Sequence, residues 1–250
     1  MVARTLKRAT RLTAFVLGLL CLCTANTAWS DCRLALALGL DVSSSVDARE
    51  YRLQLDGLSA AFGSARVRNA LFAVPGSYVS VSVFEWSGPG DSEIILPWLD
   101  IASESALEEL RNGLSRVERR DAAPGTGLGQ ALLDGARLLS ERPDCTGHVL
   151  DISGDGKSNL GPRPGPLRKQ LLSAGITVNA LVIGTDAQPK GETRAEGIAE
   201  LSAYFQTQVI SGNGAFVETA LGYEAYTQAM IRKLERELQL YVLSDLRALR

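Results

Sequence analysis

Three short stretches of the 250-residue chain gather oxygen donors of one chemical kind. They are Asp41-Val42-Ser43-Ser44-Ser45, then Thr126 within Pro124-Gly125-Thr126-Gly127, then Gly154-Asp155-Gly156. Asp41 and Asp155 offer carboxylates, and Ser43, Ser45 and Thr126 offer hydroxyls. Such a hard-oxygen set suits Mg2+ or Mn2+; Mg2+ wants octahedral geometry and usually keeps several waters. The spacing D-x-S-x-S lets a turning loop aim positions 41, 43 and 45 at one point. The glycines beside Thr126 and Asp155 let backbone approach closely. The chain has one histidine, His148, which leaves no multi-histidine zinc site and little choice of proton-transfer base. Its formal net charge of −2 gives no electrostatic footprint for nucleic acid.

These residues need elements to position them, and the pattern supplies alternating strands and helices. Arg33 to Leu40 (RLALALGL) is a near-continuous apolar run, as in a strand buried on both faces. A helical pattern follows, with Tyr51, Leu55, Leu58 and Phe62 on one face. Tyr78 to Trp86 alternates and is rich in β-formers. Ile94 to Trp98 is a short strand whose Pro97 argues for a sheet edge. Ser105 to Glu108 reads as a capping box opening a helix to about Arg119. Leu128, Ala131, Leu132, Leu138 and Leu139 trace another helix face. His148 to Ser153 and Ile176 to Ile183 are strands, with a short helix over Pro166 to Ala174 between them. A helix around Arg194 to Tyr204 precedes a weaker sixth strand around Gln206 to Ile210. The last helix runs from about Gly222 past Leu240. Alternation of this kind implies one α/β domain with a mostly parallel sheet. In such sheets the functional loops lie beyond the carboxyl ends of the strands. All three oxygen-bearing stretches fall there, after the first strand, before a middle helix and after the fourth strand.

This constellation resembles the metal-ion-dependent adhesion site (MIDAS) of the von Willebrand factor A domain. The family pattern is DxSxS, a threonine and an aspartate, and Asp41, Ser43, Ser45, Thr126 and Asp155 fill all five positions in order. The resemblance covers about Cys32 to Leu240. The whole chain also looks like a subfamily of secreted bacterial A-domain proteins of undetermined function. It implies a doubly wound, Rossmann-like, six-stranded sheet, mostly parallel with one antiparallel edge strand. It also implies a Mg2+ or Mn2+ ion held by those five residues, with one coordination position open to a carboxylate from a partner protein.

The N-terminus reads as an address. Arg4, Lys7, Arg8 and Arg11 precede an apolar run from Leu12 to Cys23, and Ala28-Trp29-Ser30 offers a cleavage site before Asp31. That is the layout of a secretory signal peptide over residues 1–30, and the run is short of the ~20 residues that span a bilayer. Residues 31–250 are then the domain, secreted or periplasmic and not inserted in a membrane. Loss of four basic residues takes its net charge to −6. Its two cysteines are Cys32 and Cys145, and export permits pairing. In the A-domain sheet the first and fourth strands are neighbours and parallel, so the resemblance implies a Cys32–Cys145 disulfide at the end opposite the metal.

Other features have plainer readings. Asp151 lies within a strand and is structural or at most supports the site from behind its ligands, His148 is packing, and Trp86 and Trp98 are core or strand-end packing. The stiff Gly161-Pro162-Arg163-Pro164-Gly165-Pro166 loop could rim the site. The expected function is a metal-dependent binding module and not an enzyme. A phosphatase of the haloacid dehalogenase type is the alternative, because Gly154 to Asn159 (GDGKSN) faintly resembles its GDGxND loop. Such enzymes need a second acid where Ser43 stands, and Asn159 replaces an aspartate. A structural domain with a vestigial metal site is the third reading.

Overall fold

The computed structural model describes residues 31–184 and 194–248, so the expected leader over residues 1–30 lies outside the described residues. The elements run β1 (Asp31–Asp41), α1 (Ala48–Gly63), α2 (Ala65–Leu71), β2 (Ser77–Trp86), β3 (Ser92–Ile101), α3 (Glu104–Arg116) and α4 (Leu128–Leu139). They continue with β4 (Gly147–Gly154), α5 (Pro164–Ser173), β5 (Ile176–Ile183), α6 (Arg194–Gln208), β6 (Val217–Ala220), a 3-10 turn (Tyr223–Ala225) and α7 (Tyr226–Ala248). The six strands form one sheet in the order β3-β2-β1-β4-β5-β6. Only β3 runs antiparallel to its neighbour. The expected doubly wound α/β sheet with an antiparallel edge strand is therefore the observed one, and Pro97 does sit on the edge.

The alternation in β1 sets the two layers. Leu34, Leu36, Leu38 and Leu40 pack toward α1, α2, α3 and α7, while Ala35 and Ala37 face α4, α5 and α6. Large side chains on one face and small ones on the other let α4 approach the sheet closely. Gly135 of α4 packs against Leu150, where an added Cβ would strike the side chain. Buried apolar residues of α1 (Tyr51, Leu55, Leu58, Phe62) fall on one face, as the pattern requires.

Three local expectations need correction. Gln206 to Ile210 is not a strand: α6 runs to Gln208, and the sixth strand is Val217–Ala220. Ile198, Leu201, Phe205 and Val209 are all buried at helical spacing, so the 3.6-residue period continues past Tyr204 and outweighs the β-branched pair at the end. The cap of α3 is Ser103, whose hydroxyl accepts from Ala106 N at 3.2 Å, and the helix stops at Arg116. Ser105 instead meets the Ser103 hydroxyl at 2.9 Å. Helix α2 was not anticipated; Ser64 ends α1 and caps α2 at once.

The plainer readings can be placed too. His148 Nε2 lies 2.8 Å from the Arg142 carbonyl oxygen, and Trp86 is buried. Asp151 forms a fully buried ion pair with Lys233 of α7 at 2.6 Å, and Lys233 also meets Glu237 at 2.5 Å. Burial pulls the ammonium down, but Asp151 and Glu237 outweigh it and hold it above the ordinary lysine value. Asn179 completes the group, donating to Glu237 at 2.7 Å and accepting from Phe216 N at 3.1 Å. The network ties α7 to β4 and β5. Cys32 and Cys145 are joined in a disulfide at the amino ends of β1 and β4.

Candidate metal centre

Strand order reverses between β1 and β4. The chain leaves β1 for β2 on one side and leaves β4 for β5 on the other, so their following loops part and leave a crevice. Leu40 pairs with Ser153, which sets Asp41 and Gly154 level at the mouth of that crevice. A Cβ at Gly154 would come within 3.3 Å of Asp41 Oδ2, so glycine leaves room for the carboxylate.

The structure brings four of the five residues into one hydrogen-bonded chain. Ser43 N donates to Asp41 Oδ1 at 2.8 Å, the Ser43 and Ser45 hydroxyls lie 3.2 Å apart, and Ser45 Oγ donates to Asp155 Oδ1 at 2.8 Å. Thr126 is buried beside them, its Oγ1 3.8 Å from where a Cβ on Gly156 would stand. Asp41 is fully buried, and its Oδ2 has no hydrogen-bond partner. Gln54 Nε2 holds the Asp41 carbonyl at 3.1 Å and so anchors the loop to α1. Burial, and next the charge of Asp155, push the Asp41 carboxyl up to about 7 against the lowering effects of Ser43 and of the Asp155 backbone N–H. Burial also raises Asp155, offset in part by the Ser45 and Tyr223 hydroxyls.

Tyr223 is a site residue that sequence reasoning missed. It donates to Asp155 Oδ2 at 3.3 Å from the turn before α7. Burial, then Asp155 and Asp41, keep its phenol protonated and so a donor. Nothing in the local sequence marks it; only the return of β6 to the sheet brings it there.

The donor set fits a divalent cation. A fully buried carboxylate and a partly buried one share one crevice, Asp41 Oδ2 has no hydrogen-bond partner, and both carboxyls resist ionisation as they stand. A 2+ ion at that point would supply the missing partner and offset the repulsion. The residues that could hold it are Asp41, Ser43, Ser45, Thr126 and Asp155. A test follows from the raised carboxyl. Asp41 titrates near 4 unfolded and near 7 folded, so its contribution to stability is complete below about 4 and is lost as pH rises through 7. Chelated protein is therefore expected to be more heat-stable at pH 5.5 than at pH 8. The slope of unfolding free energy due to Asp41 approaches ~1.4 kcal/mol per pH unit. Saturating Mn2+ should reverse that sign, because protons then compete with the metal. Melting curves at the two pH values, with and without chelator, measure both slopes.

The profile of the family described as "Protein of unknown function (DUF1194)" matches residues 31–241. The chain belongs to the DUF1194 family. No curated protein matches the sequence. Solved structures do share the fold of this DUF1194 chain. Proximal thread matrix protein 1 from the mussel byssus is 18% identical, with a TM-score of 0.56, covering 84% of this chain and 49% of its own. A structure of that protein has a zinc-occupied MIDAS motif, at 19% identity and a TM-score of 0.55, covering 82% and 48% of the two chains. The pilus adhesin SpaC from Lactobacillus rhamnosus GG is 14% identical, with a TM-score of 0.59, covering 84% and 31%. A von Willebrand factor type A protein from Catenulispora acidiphila is 14% identical, with a TM-score of 0.52, covering 83% and 43%. The DUF1194 chain thus has a von Willebrand factor A-like fold and spans half or less of each of these proteins. Among the described residues, no helix is long and apolar enough to cross a membrane.

Proposed function

We propose that this DUF1194 protein is an exported, metal-dependent protein-binding module. In this reading Asp41, Ser43, Ser45, Thr126 and Asp155 hold Mg2+ or Mn2+, and the open side of the site receives a carboxylate from a partner protein. The observation that carries it is the buried Asp41 Oδ2, without a partner and beside a second raised carboxyl. When bound, the cation supplies a positive centre that hydroxyl ligands leave electrophilic toward an acidic side chain. The chain's own residues do the rest. Ser43 N fixes the Asp41 carboxylate while Gln54 holds the Asp41 backbone carbonyl, Ser45 and Tyr223 orient the Asp155 carboxylate, and Gly154 keeps the crevice open. Proximal thread matrix protein 1 with its zinc-occupied MIDAS motif, and the adhesin SpaC, support a binding role by analogy of fold.

A binding role is favoured over phosphoester chemistry by the site's side chains. Ser43 stands where a second acid would be required, and His148 bonds the Arg142 carbonyl instead of the site. Asn159 is engaged with the backbone of Thr126. The cysteine pair and the basic, then apolar N-terminus support export to a secreted or periplasmic location.

The experiment is capture of partners from the exported fraction on immobilised protein, with Mn2+, with chelator and with Asp155→Ala. A partner retained only by Mn2+-loaded wild type, and released by free carboxylate, is expected. Equal capture in chelator would overturn the proposal. Assay with a generic phosphate ester in Mg2+ is expected to show no turnover; turnover lost in Asp41→Asn would establish the enzyme instead.

A further inference from the structure

The loop that supplies Asp155 also grips the loop that supplies Thr126. Asn159 Oδ1 accepts from Thr126 N at 2.8 Å, and Asn159 N donates to Thr126 O at 3.0 Å. Leu160 N and Ser158 Oγ reach the same carbonyl, each at 3.3 Å. Both polar backbone groups of Thr126 are thus held by three consecutive residues of the β4–α5 loop. The flanking glycine permits this approach. Gly125 has φ of +94°, and a Cβ there would press on Asn159 Oδ1 at 3.2 Å and run into the Leu160 side chain. Ser87 O accepts from Gly127 N at 2.7 Å on the other side, so Thr126 sits between two fixed backbones.

We infer that Asn159 is a positioning residue of the metal centre: its side-chain oxygen sets the Thr126 hydroxyl relative to Asp155. The inference rests on the metal-binding reading above and adds a residue that touches no metal. Thr126 and Asp155 come from loops far apart in sequence; three bonds to the Thr126 carbonyl tie the loops together, and the Asn159 side chain alone holds the Thr126 N–H. Because Asn159 lies four residues beyond Asp155 on the same loop, its bond to Thr126 N adds the second fixed point that sets the orientation of Thr126 relative to Asp155. The pattern GDGKSN is explained on this basis: the aspartate is the ligand, and the asparagine couples it to the threonine loop. The amide side chain serves as an acceptor here, so an aspartate can replace it, whereas alanine and leucine cannot.

Titration calorimetry with Mn2+ on the full exported chain tests the inference. Loss of one hydrogen bond of ordinary net strength corresponds to about three- to tenfold in affinity. Asn159→Ala is expected to weaken Mn2+ binding by that factor, with the melting temperature in chelator nearly unchanged and faster amide exchange at Thr126. Asn159→Asp is expected to bind Mn2+ at least as well as wild type. An Asn159→Ala protein that binds Mn2+ like wild type overturns the inference while leaving the metal reading intact. Equal weakening in Ala and Asp variants also overturns it, since the acceptor oxygen is then not what matters. A wild type silent to Mn2+ overturns the metal reading itself, and the inference falls with it.

Discussion

Asp41→Asn is expected to abolish divalent-cation binding and, in chelator, to make the protein more stable than wild type. The two effects share one cause. Asp41 is fully buried, its Oδ2 is unpartnered, and its nearest charge is another carboxylate. Without a cation the fold carries that charge at a cost; with one, the same charge is the main ligand. Removing one partner of a buried charge pair typically costs ~3–5 kcal/mol, so affinity should fall at least about a hundredfold. Chelated Asp41→Asn should melt a few degrees higher at pH 8, where wild-type Asp41 is ionised. At pH 5.5 the difference should be about half as large, because folded Asp41 is then protonated while the unfolded carboxyl must still take up a proton to fold. Calorimetric titration and melting curves on both proteins measure this. A variant that loses metal binding and is also less stable in chelator at pH 8 would show that Asp41 is held mainly by its Ser43 and Gln54 contacts.

Breaking the Cys32–Cys145 bond, whose two residues are both buried in the core, is expected to cost several kcal/mol of stability. The bridge closes a separation of 113 residues, for which the chain-entropy account gives about 4–5 kcal/mol. In a domain of this size that lowers the melting temperature by roughly 8–20 °C. The bridge joins the amino ends of β1 and β4, while Asp41 and Asp155 lie at the carboxyl ends. Nine strand residues on from Cys32, Asp41 is ~30 Å away. The Cys32→Ala/Cys145→Ala protein should therefore bind Mn2+ with wild-type affinity below its melting point. Melting within a degree or two of wild type would show that the packing of the surrounding residues, and not the bond, holds the strand starts together.

Much of the fold was legible because its signals are local and repetitive. The Leu/Ala alternation of β1, the β-branched run of β5 and the apolar faces of α1 and α4 each lie within one element. Pro97 announced an edge because a proline has no N–H to give a central ladder. The misplaced sixth strand shows the limit. Val209 and Ile210 look like strand residues, yet Val209 continues the buried face of α6, whereas Val217–Ala220 is a short and weakly patterned segment. What makes it a strand is the exposed edge of β5, which lies outside its own sequence.

The candidate site divides in the same way. Residue types and order were enough to nominate Asp41, Ser43, Ser45, Thr126 and Asp155, because donor chemistry is a property of side chains and the strand ends could be read. Sequence alone likewise favoured oxygen ligation, through the single histidine and the paired hydroxyls. The tertiary structure decided how the donors stand: which carboxylate oxygen is left without a partner, that Tyr223 returns from beyond β6 to hold Asp155, and that Asn159 clasps Thr126. It also decided that Asp151 pairs with Lys233, 82 residues away, and is thereby kept out of the site. Each of these depends on two segments meeting across the strand-order reversal or under α7. Hydrogen bonding and desolvation act over a few ångströms in space, and spacing along a chain carries no measure of that distance.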